Sequence, residues 1–588
     1  MPPTTSDVWQ HFERAQNTAE CRYCHVVLSY RGGSTSNLKR HIERKHVTVP
    51  MNRTEALGNN VENSNNIPSA TSGEYGGIHR YFASSRPLTA EVKRDLDETL
   101  LIMICKEYYP YSIVEDKYFK LFVKKLYPAY DLPSRKCLTN ALLPTIYEKT
   151  LLSVKNNLIQ AKAVSLTADG WSNVNQVSFF AITAHYIDEN FQLRTYLLEC
   201  SEFTTSHTAQ NIAVWIKKVT EKFNIQNKIV CLVTDNASNM KKAASELELP
   251  HFSCFAHSLN LVVQDAIENS IKSTIDEVRR ITTHFKHSAL ASQKLHEIQL
   301  NLKLPELKLK QDVATRWNST FDMLERFLKN KIPLVSCLAS LKFQSSLRDN
   351  DWLMMEQAIS VLQFFDLATK EVMSERSVSL YKVGIIIRTL SFEMARAVEE
   401  TNLRTEVAKL VRILDSNLRE RFVNYNNTLV DEAIILDPRF KEKQFLGEKY
   451  DATIASLKQK LVPENSVQNE PLRANNEDKF KGLLWRKWRE LESNRETTIS
   501  EQTTAVVEID RYLQEKAMNS MDDPLIWWKT KHSLYPQLYK IVQKTLCIPA
   551  TSVPCERVFS KAGGIITEKR NKLLPKKLNE MLFIKQNL

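Results

Sequence analysis

Two aspartates occupy positions from which carboxylates can hold a divalent cation. Asp169 follows the small, apolar and β-branched run 163–168, and Asp235 follows the apolar run 229–234. Each run predicts a short buried strand, and Asp169 falls where the first strand opens into a turn at Gly170. Two strand-end acids on one sheet would supply ligands for a metal ion. An Asp before Gly or Asn is also common in turns and helix caps, so neither acid alone establishes a site.

The elements around both acids follow a definite order. Periodicity predicts a βββαβα arrangement with strands 163–168, 177–187, 192–199 and 228–234, a helix over about 207–223, and a second helix from Ser238. This order suggests an RNase-H-like fold, in which both acids share one sheet.

The first fifty residues contain a set of metal ligands. Cys21 and Cys24 are followed, after sixteen intervening residues, by His41 and His46. Two thiolates and two imidazoles form the tetrahedral set that Zn2+ prefers, and closing it stabilises a module too small to fold on apolar burial alone. The spacing therefore predicts a structural zinc site.

A helix beginning near residues 35–36 would carry the second half of this ligand set. With Leu38 turned inward, Asn37, Arg40 and Arg44 share its outer face, and Lys39 adds a further cation. Asn and Arg side chains suit base edges and phosphates in a major groove, so these four residues are candidate DNA contacts. A solvated charged face is the alternative, because zinc fingers also bind proteins.

These residues carry a resemblance to a known family. Val8-Trp9-x2-Phe12 before the cysteines and the run from Ser36 to His46 resemble a BED finger, a DNA-binding zinc module that commonly precedes hAT-superfamily transposases and their domesticated relatives. On this resemblance the fold class is multidomain α+β. The domains expected are a BED finger (1–50), a flexible linker (51–88), a helical DNA-binding or dimerisation region (89–160), the first part of an RNase-H-like core (161–264), an all-α insertion (265–545), and the last core helix with the hAT C-terminal dimerisation region (546–588).

The same resemblance supplies a third acid. The run from Thr551 to Gly563 resembles the block that closes hAT transposases, whose Glu completes an Asp-Asp-Glu triad. The resemblance implies that Glu556 joins Asp169 and Asp235 as catalytic residues and as ligands of two Mg2+ or Mn2+ ions, which would serve both hydrolysis and strand transfer. Without the resemblance, Glu556 would pass as a surface residue.

Two further motifs have open interpretations. Cys254-x2-His257 matches a Cys-x2-His that hAT proteins carry after the second acid, although structural packing is the simpler reading of these two residues. The run 312–320 also resembles the family, and there Trp317 would stack on a base extruded beside the cleavage site. On physical grounds Trp317 is instead an anchor at a helix start, with Arg316 as its exposed neighbour.

Composition limits the function classes. The 588 residues are too many for one core, and 80 Lys and Arg against 68 Asp and Glu leave a net charge of +12. This excess fits a polyanionic partner, although a merely basic soluble protein is the alternative. The ten cysteines and the lack of a secretory n-region favour a cytosolic or nuclear compartment with reduced thiols, and no apolar run is long enough to span a membrane.

The sequence of the C-terminal tail predicts an amphipathic, basic helix. The counterpart of this tail in the family is a dimerisation region. Its apolar stripe, which includes Leu578, Leu582 and Phe583, would be either an interface or part of the chain's own core.

The function expected is that of a sequence-specific, nuclear DNA transposase acting as a homodimer or higher oligomer on transposon ends and target DNA. The resemblance implies excision with hairpins on the flanking DNA, followed by integration. Alternatives are a domesticated DNA-binding regulator that does not cut, and an RNase-H-like nuclease acting on RNA or hybrids.

Overall fold

The computed structural model of the chain describes residues 7–16, 18–29, 35–46, 88–173, 176–373, 377–423, 427–461, 501–565 and 573–588. Contacts divide the chain into two compact units, Met1–Arg80 and Tyr81–Leu588. Almost all of the expected linker, residues 51–87, lies outside the described residues, as do residues 462–500 of the expected all-α insertion.

The described residues of the first unit form a small sheet followed by a helix. Strands β1 (Phe12–Arg14), β2 (Thr18–Cys21) and β3 (Val27–Ser29) form an antiparallel sheet, and helix α1 (Ser36–Lys45) follows. Its core consists of six buried side chains, which are those of Val8, Phe12, Ala19, Cys21, Leu38 and Ile42. A core of this size is too small to stabilise about forty residues by apolar burial, so the unit needs a further crosslink.

The described part of the second unit begins with the long helices α2 (Ala90–Glu107), α3 (Lys117–Leu126) and α4 (Leu143–Gln160), and one short helical turn, Arg135–Cys137, precedes α4. Local capping explains two of their starts. The side chain of Thr89 accepts a hydrogen bond from Val92 N, and the side chain of Asp116 accepts two bonds from the first turn of α3.

A five-stranded mixed sheet forms the centre of the second unit. Its strands, in chain order, are β4 (Val164–Ser172), β5 (Ser178–Ile187), β6 (Leu193–Glu202), β7 (Ile229–Thr234) and β8 (His251–Ser253). The order across the sheet is β6-β5-β4-β7-β8, with antiparallel pairing among the first three and parallel pairing from β4 to β8. Helices α5 (Ala209–Phe223) and α6 (Ser238–Glu246) connect the strands, so the predicted βββαβα order is present.

Strand β4 is longer than the sequence indicated, and this corrects the prediction that Asp169 ends it. The parallel pairing with β7 stops at Thr167, but the antiparallel pairing with β5 continues through Asp169 to Ser172. Gly170 pairs with Phe180 of β5, and a Cβ at Gly170 would come 3.1 Å from the Phe180 ring. Asp169 therefore lies within a strand.

Each face of the sheet carries its own apolar core, because successive side chains of a strand point to opposite faces. In β7, Cys231 and Val233 join one core while Leu232 joins the other. The Leu232 core includes α2, α4, α5 and the C-terminal helices, whereas the other core extends into the long helical segment after β8.

That helical segment contains no strand among its described residues from 265 to 545. Its first helix, α7 (Phe255–Ser270), spans the expected boundary between core and insertion. The following helices are α8 (Lys272–His287), α9 (Ala289–Asn301), α10 (Trp317–Lys329), α11 (Lys331–Ser340), α12 (Asp349–Val372), α13 (Leu380–Val398), α14 (Thr405–Leu418), α15 (Thr428–Leu436), α16 (Lys449–Leu461), α17 (Glu501–Gln514), α18 (Pro524–Lys531) and α19 (Pro536–Thr545).

Two helices close the chain, α20 (Val553–Ile565) against β4 and β5, and α21 (Pro575–Asn587) against β6, α4 and α2. Leu578, Leu582 and Phe583 of α21 are buried inside this unit. The apolar stripe of the tail is therefore intramolecular core. Among the helices that the structure describes, none combines the length and apolarity required to cross a bilayer.

Candidate functional site

The four predicted zinc ligands lie together at one end of the first unit. Cys21 Sγ is 3.4 Å from His46 Nε2, Cys24 Sγ is 3.2 Å from His41 Nε2, and all four ligand atoms lie within 4.8 Å of one another. Helix α1 ends at Lys45, so His46 sits at its C-cap with non-helical angles and turns towards the cysteines. Bonds of about 2.3 Å to sulfur and 2.0 Å to nitrogen place tetrahedral ligands at such separations, so the set fits Zn2+.

Helix α1 presents the candidate DNA contacts to solvent. The side chains of Asn37, Lys39 and Arg40 are exposed, while Leu38 between them is buried. The side chain of Arg44 lies outside the described residues. An exposed polar and basic face opposite a buried stripe suits contact with a polyanion.

Three different elements bring the predicted acids towards one another. Asp169 lies in β4 opposite Ala181, two residues beyond the last parallel pair with β7. Asp235 directly follows β7, the neighbouring strand, and its carboxylate accepts a hydrogen bond of 3.1 Å from Ala237 N. Glu556 lies in the first turn of α20, which packs on β4 and β5. All three carboxylates are partly buried.

The electrostatics of Asp169 show that the three acids share an environment. Burial, which is the largest cause, and the charges of Asp235 and Glu556 together raise the pKa of Asp169 to about 8, against a 2.8 Å hydrogen bond from Gly170 N that opposes the shift. Without a cation, the crowded negative charges are unfavourable, which is the situation that a divalent ion relieves. Carboxylate oxygens are the ligands that Mg2+ and Mn2+ prefer, so the donor set fits such an ion.

The acids are nevertheless spread more widely than the zinc ligands. Among the described residues, the zinc cluster forms a group of three or more His, Cys, Asp or Glu with ligand atoms within 4.8 Å, whereas the three acids do not form such a group.

A buried polar network fixes the helix that bears Glu556 against the strand that bears Asp169. Cys555 Sγ lies 3.1 Å from Thr167 Oγ1, and that hydroxyl lies 2.5 Å from Thr183 Oγ1. Thr183 in turn contacts Nε2 of His185, whose pKa burial lowers to about 3, so the ring is neutral. No spacing pattern in the sequence announces this network.

Aromatic packing makes a second link between the same two elements. The Trp171 ring stacks on Phe559 with centroids 5.8 Å apart and planes 19° from parallel. A Cβ at Gly563 would lie 3.5 Å from Trp171, which is ordinary van der Waals contact, so α20 passes directly beside this ring. Each ring lies close to a candidate acid in the sequence, since Trp171 follows Asp169-Gly170 and Phe559 comes three residues after Glu556. No spacing pattern, however, indicates that the two rings contact each other.

Cys254 packs in the interior and acts between elements. Its thiol is fully buried, burial raises its pKa, and its sulfur accepts a hydrogen bond of 3.3 Å from Ser552 N. Cys254 therefore ties the end of β8 to the residue before α20. His257 lies in the first turn of α7 and is half-buried. Of the two readings of this motif, the contacts of Cys254 favour structural packing.

Trp317 is an anchor in the core, and this corrects its assignment as a DNA contact. The side chain is 1% exposed and packs near Phe321, with ring centroids 6.2 Å apart. Asn260 holds the backbone by accepting a hydrogen bond of 3.0 Å from Trp317 N. An apolar ring at a helix start was buried by the helices around it, so no face is open to a base. Arg316 is exposed.

Four family models match parts of the chain. They are described as BED zinc finger (residues 6–47), ZBED1 RNase-like domain (167–256), ZBED1 RNase-like helical domain (252–361) and hAT family C-terminal dimerisation region (508–588). These matches confirm the predicted resemblance to hAT-superfamily transposases with an N-terminal BED finger. The chain is thus hAT transposase-like, with a DNA-binding type of zinc finger and a region of a type that mediates oligomerisation.

Individual relatives match along nearly the whole chain. "Zinc finger BED domain-containing protein 4" of Homo sapiens is 24% identical over 99% of this chain and 52% of its own length. "Putative AC transposase" of Zea mays is 24% identical over 97% of this chain and 74% of its own length. "Putative transcriptional regulator tpeD" of Talaromyces stipitatus is 23% identical, with 98% of this chain and 71% of that protein covered. The chain spans about half the length of the human relative, and the names include both a transposase and a regulator.

Proposed function

We propose that this chain is a hAT-type DNA transposase that cleaves and joins phosphodiesters at a site built from Asp169, Asp235 and Glu556. The observation that carries the proposal is the raised pKa of Asp169, which arises in part from the charges of the other two acids. Three acids from two strands and a helix share one environment, although they are far apart in sequence. The mixed sheet that holds them, in βββαβα order, supports an RNase-H-like core.

The three carboxylates would hold Mg2+ or Mn2+, which supplies activation of the attacking oxygen and stabilisation of the leaving oxygen. The protein's own part is positioning. Strand β4 fixes Asp169 through its antiparallel pairing with β5. The Cys555–Thr167 contact and the Trp171–Phe559 stack fix Glu556 relative to Asp169. The described neighbours of Asp169 that shift its pKa include no cationic side chain, which leaves the neutralisation to the ion.

DNA binding would begin at the first unit. The exposed face of α1, with Asn37, Lys39 and Arg40, supports contacts to base edges and phosphates, and Arg44 and Arg316 remain candidates for further contacts. The substrates proposed are double-stranded transposon ends and target DNA, and the compartment is the nucleus. The match at 508–588 supports action as a homodimer or larger oligomer.

A DNA-binding regulator without nuclease activity is the second candidate. The wide spacing of the three acids favours it, because they do not form a compact ligand group as the zinc ligands do. The name of the fungal relative, a putative transcriptional regulator, favours it as well. In this case the finger would bind DNA and the acids would remain as structural residues.

Cleavage of DNA carrying the element's own ends, in Mg2+ or Mn2+, separates the two candidates. We expect the unmodified protein to cut and to join the released ends to a target, and Asp169→Asn, Asp235→Asn and Glu556→Gln each to lower the rate by at least about a thousandfold while DNA binding persists. Glu246→Gln, a change of an exposed acid on α6, is the matched control and should cut normally. Tight binding with no cutting by the unmodified protein would favour the regulator.

A further inference from the structure

A large cavity lies beside the second acid. It begins at Asn236, the residue after Asp235, and reaches between the ends of β7 and β8 on one side and helices α13 and α15 on the other. Its volume of about 830 Å3 falls in the range of sites that hold small molecules, which is about 300–1,000 Å3. None of the side chains described above as contacts of the three acids occupies this cavity.

The charge of the wall is positive. Four of its side chains are cationic and two are acidic, namely Lys241, Arg388, Arg421 and Lys449 against Asp431 and Glu448. Lys449 lies 3.7 Å from Asp431, so that pair is neutralised in place. Lys241 and Arg421 are exposed, and no ion pair joins either of them to another described residue.

One guanidinium is held in a fixed place on this wall. Arg388 Nη1 donates a hydrogen bond of 2.8 Å to Gln444 O in the loop before α16. Gly447 of that loop has a φ of +57°, and a Cβ there would lie 3.0 Å from Arg388 Nη2. Glycine is thus the residue that lets the loop close on the arginine without strain. A guanidinium held in this way suits an anion such as phosphate.

The remaining wall offers aromatic rings and an unused hydroxyl. Phe422 and Phe445 are half-buried, and Phe422 packs on Phe255 with centroids 5.2 Å apart. Ser391 Oγ is buried and has no hydrogen-bond partner among the described residues. A buried polar atom without a partner costs free energy, so this position favours a ligand that supplies one.

We propose that this cavity binds one nucleotide. Half-buried aromatic rings take a base by stacking, free cations take its phosphate, and the buried hydroxyl takes a polar atom of the base or sugar. Two sources share this chemistry. The nucleotide is either free in solution or an unpaired nucleotide of a DNA strand that reaches the acids, and the second source rests on the proposed function.

The test uses the full chain without divalent metal and three probes, which are ATP, a ten-nucleotide single strand and a duplex of the same sequence. Arg421→Ala removes a cavity cation, and Arg412→Ala removes an exposed cation of α14 that does not line the cavity. We expect Arg421→Ala to weaken binding of ATP or of the single strand at least tenfold, and Arg412→Ala to have no such effect. Neither variant should alter duplex binding through the finger.

Lys241→Ala provides a second variant, on α6, and should act in the same direction. If the two cavity variants lose binding of ATP, the ligand is a free nucleotide. If they lose binding of the single strand alone, the ligand is a nucleotide of a DNA strand. The proposal is overturned if the unmodified protein binds neither probe, or if Arg421→Ala and Arg412→Ala are indistinguishable with both. Asp235→Asn protein should keep the binding, so a failure of the cleavage proposal would be seen separately.

Discussion

At the scale of single residues, the behaviour of Asp169 depends on the two acids that other elements bring towards it. Its pKa is raised first by burial and then by Asp235 and Glu556. Burial and two neighbouring negative charges disfavour the ionised form of a lone carboxylate. A carboxylate that binds a divalent ion is stabilised in the same position, because the ion reverses the sign of the local field.

This shift predicts how stability depends on pH in the absence of metal. Between about pH 4 and pH 8 the folded chain holds a proton on Asp169 that the unfolded chain has released, because the pKa rises from 3.8 to about 8 on folding. The contribution to the free energy of unfolding is therefore present below pH 4, falls as pH rises through this window and levels off above it. Asp169→Asn removes this dependence.

At pH 8 without metal, we expect Asp169→Asn to be more stable than the unmodified protein by on the order of 1–2 kcal/mol, after allowance for solvent screening of a partly exposed group. Thermal unfolding across pH 4–9 measures the effect. Added Mg2+ should stabilise the unmodified protein at pH 8 and leave the variant unchanged. Parallel pH profiles for the variant and for the Glu246→Gln control would contradict this explanation.

At the scale of elements, α21 has a structural role that its family description does not convey. Phe583 is 0% exposed and packs between Tyr147 of α4, with ring centroids 5.0 Å apart, and Phe223 of α5, at 6.4 Å. This helix also caps the edge strand of the sheet, where Asn579 Oδ1 accepts a hydrogen bond from Cys200 N. Oligomerisation through residues 508–588 would therefore use side chains other than the buried stripe.

Truncating Phe583 tests this role. We expect Phe583→Ala to cost about 3–5 kcal/mol of folding free energy, as for other large-to-small changes in a packed core. Because the contact lies within one chain, the loss measured by denaturant unfolding should not depend on protein concentration. Leu574→Ala is the matched apolar control, since Leu574 is 66% exposed at the start of the same helix. A loss that disappears at high protein concentration would instead indicate an interface between copies.

The same elements show what a sequence reveals and what it does not. Strands β5, β6 and β7 and helix α5 were predictable within a few residues because their periodicity is local. Strand β4 was placed too short, since its continuation depends on pairing with β5. Three residues of β8 are too few to give a pattern. Trp317 was open to two readings because burial by distant helices leaves no local mark.

At the scale of the whole molecule, the chain combines a zinc-stabilised unit with a much larger unit that contains the acids. The net charge of +12 favours binding to a polyanion, a partner that carries negative charge along the whole of its own length. The zinc ligands were predictable because they lie close together in the sequence. Glu556 lies nearly four hundred residues after Asp169, so no local pattern indicates that the two acids share an environment. Only the resemblance to a family pointed to that third acid.

Binding of duplex DNA should depend steeply on salt if the exposed face of α1 contacts phosphates. We expect Lys39→Ala and Arg40→Ala each to weaken binding and to reduce the slope of log affinity against log salt by about 1. Fluorescence anisotropy at several salt concentrations measures both quantities. Addition of a zinc chelator should abolish the same binding, because the small core of the finger cannot hold α1 without the ion. Unchanged slopes in both variants would exclude this face as the phosphate contact.

The measurement that tests the central claim most directly is Mn2+ binding, followed by the electron paramagnetic resonance of the free ion, in protein whose finger holds zinc. We predict that the unmodified chain and Glu246→Gln take up Mn2+ with equal affinity. Asp169→Asn, Asp235→Asn and Glu556→Gln should each weaken uptake at least tenfold, since all three acids serve one site. Mn2+ binding that none of the three substitutions alters would contradict the claim that these acids form a metal centre.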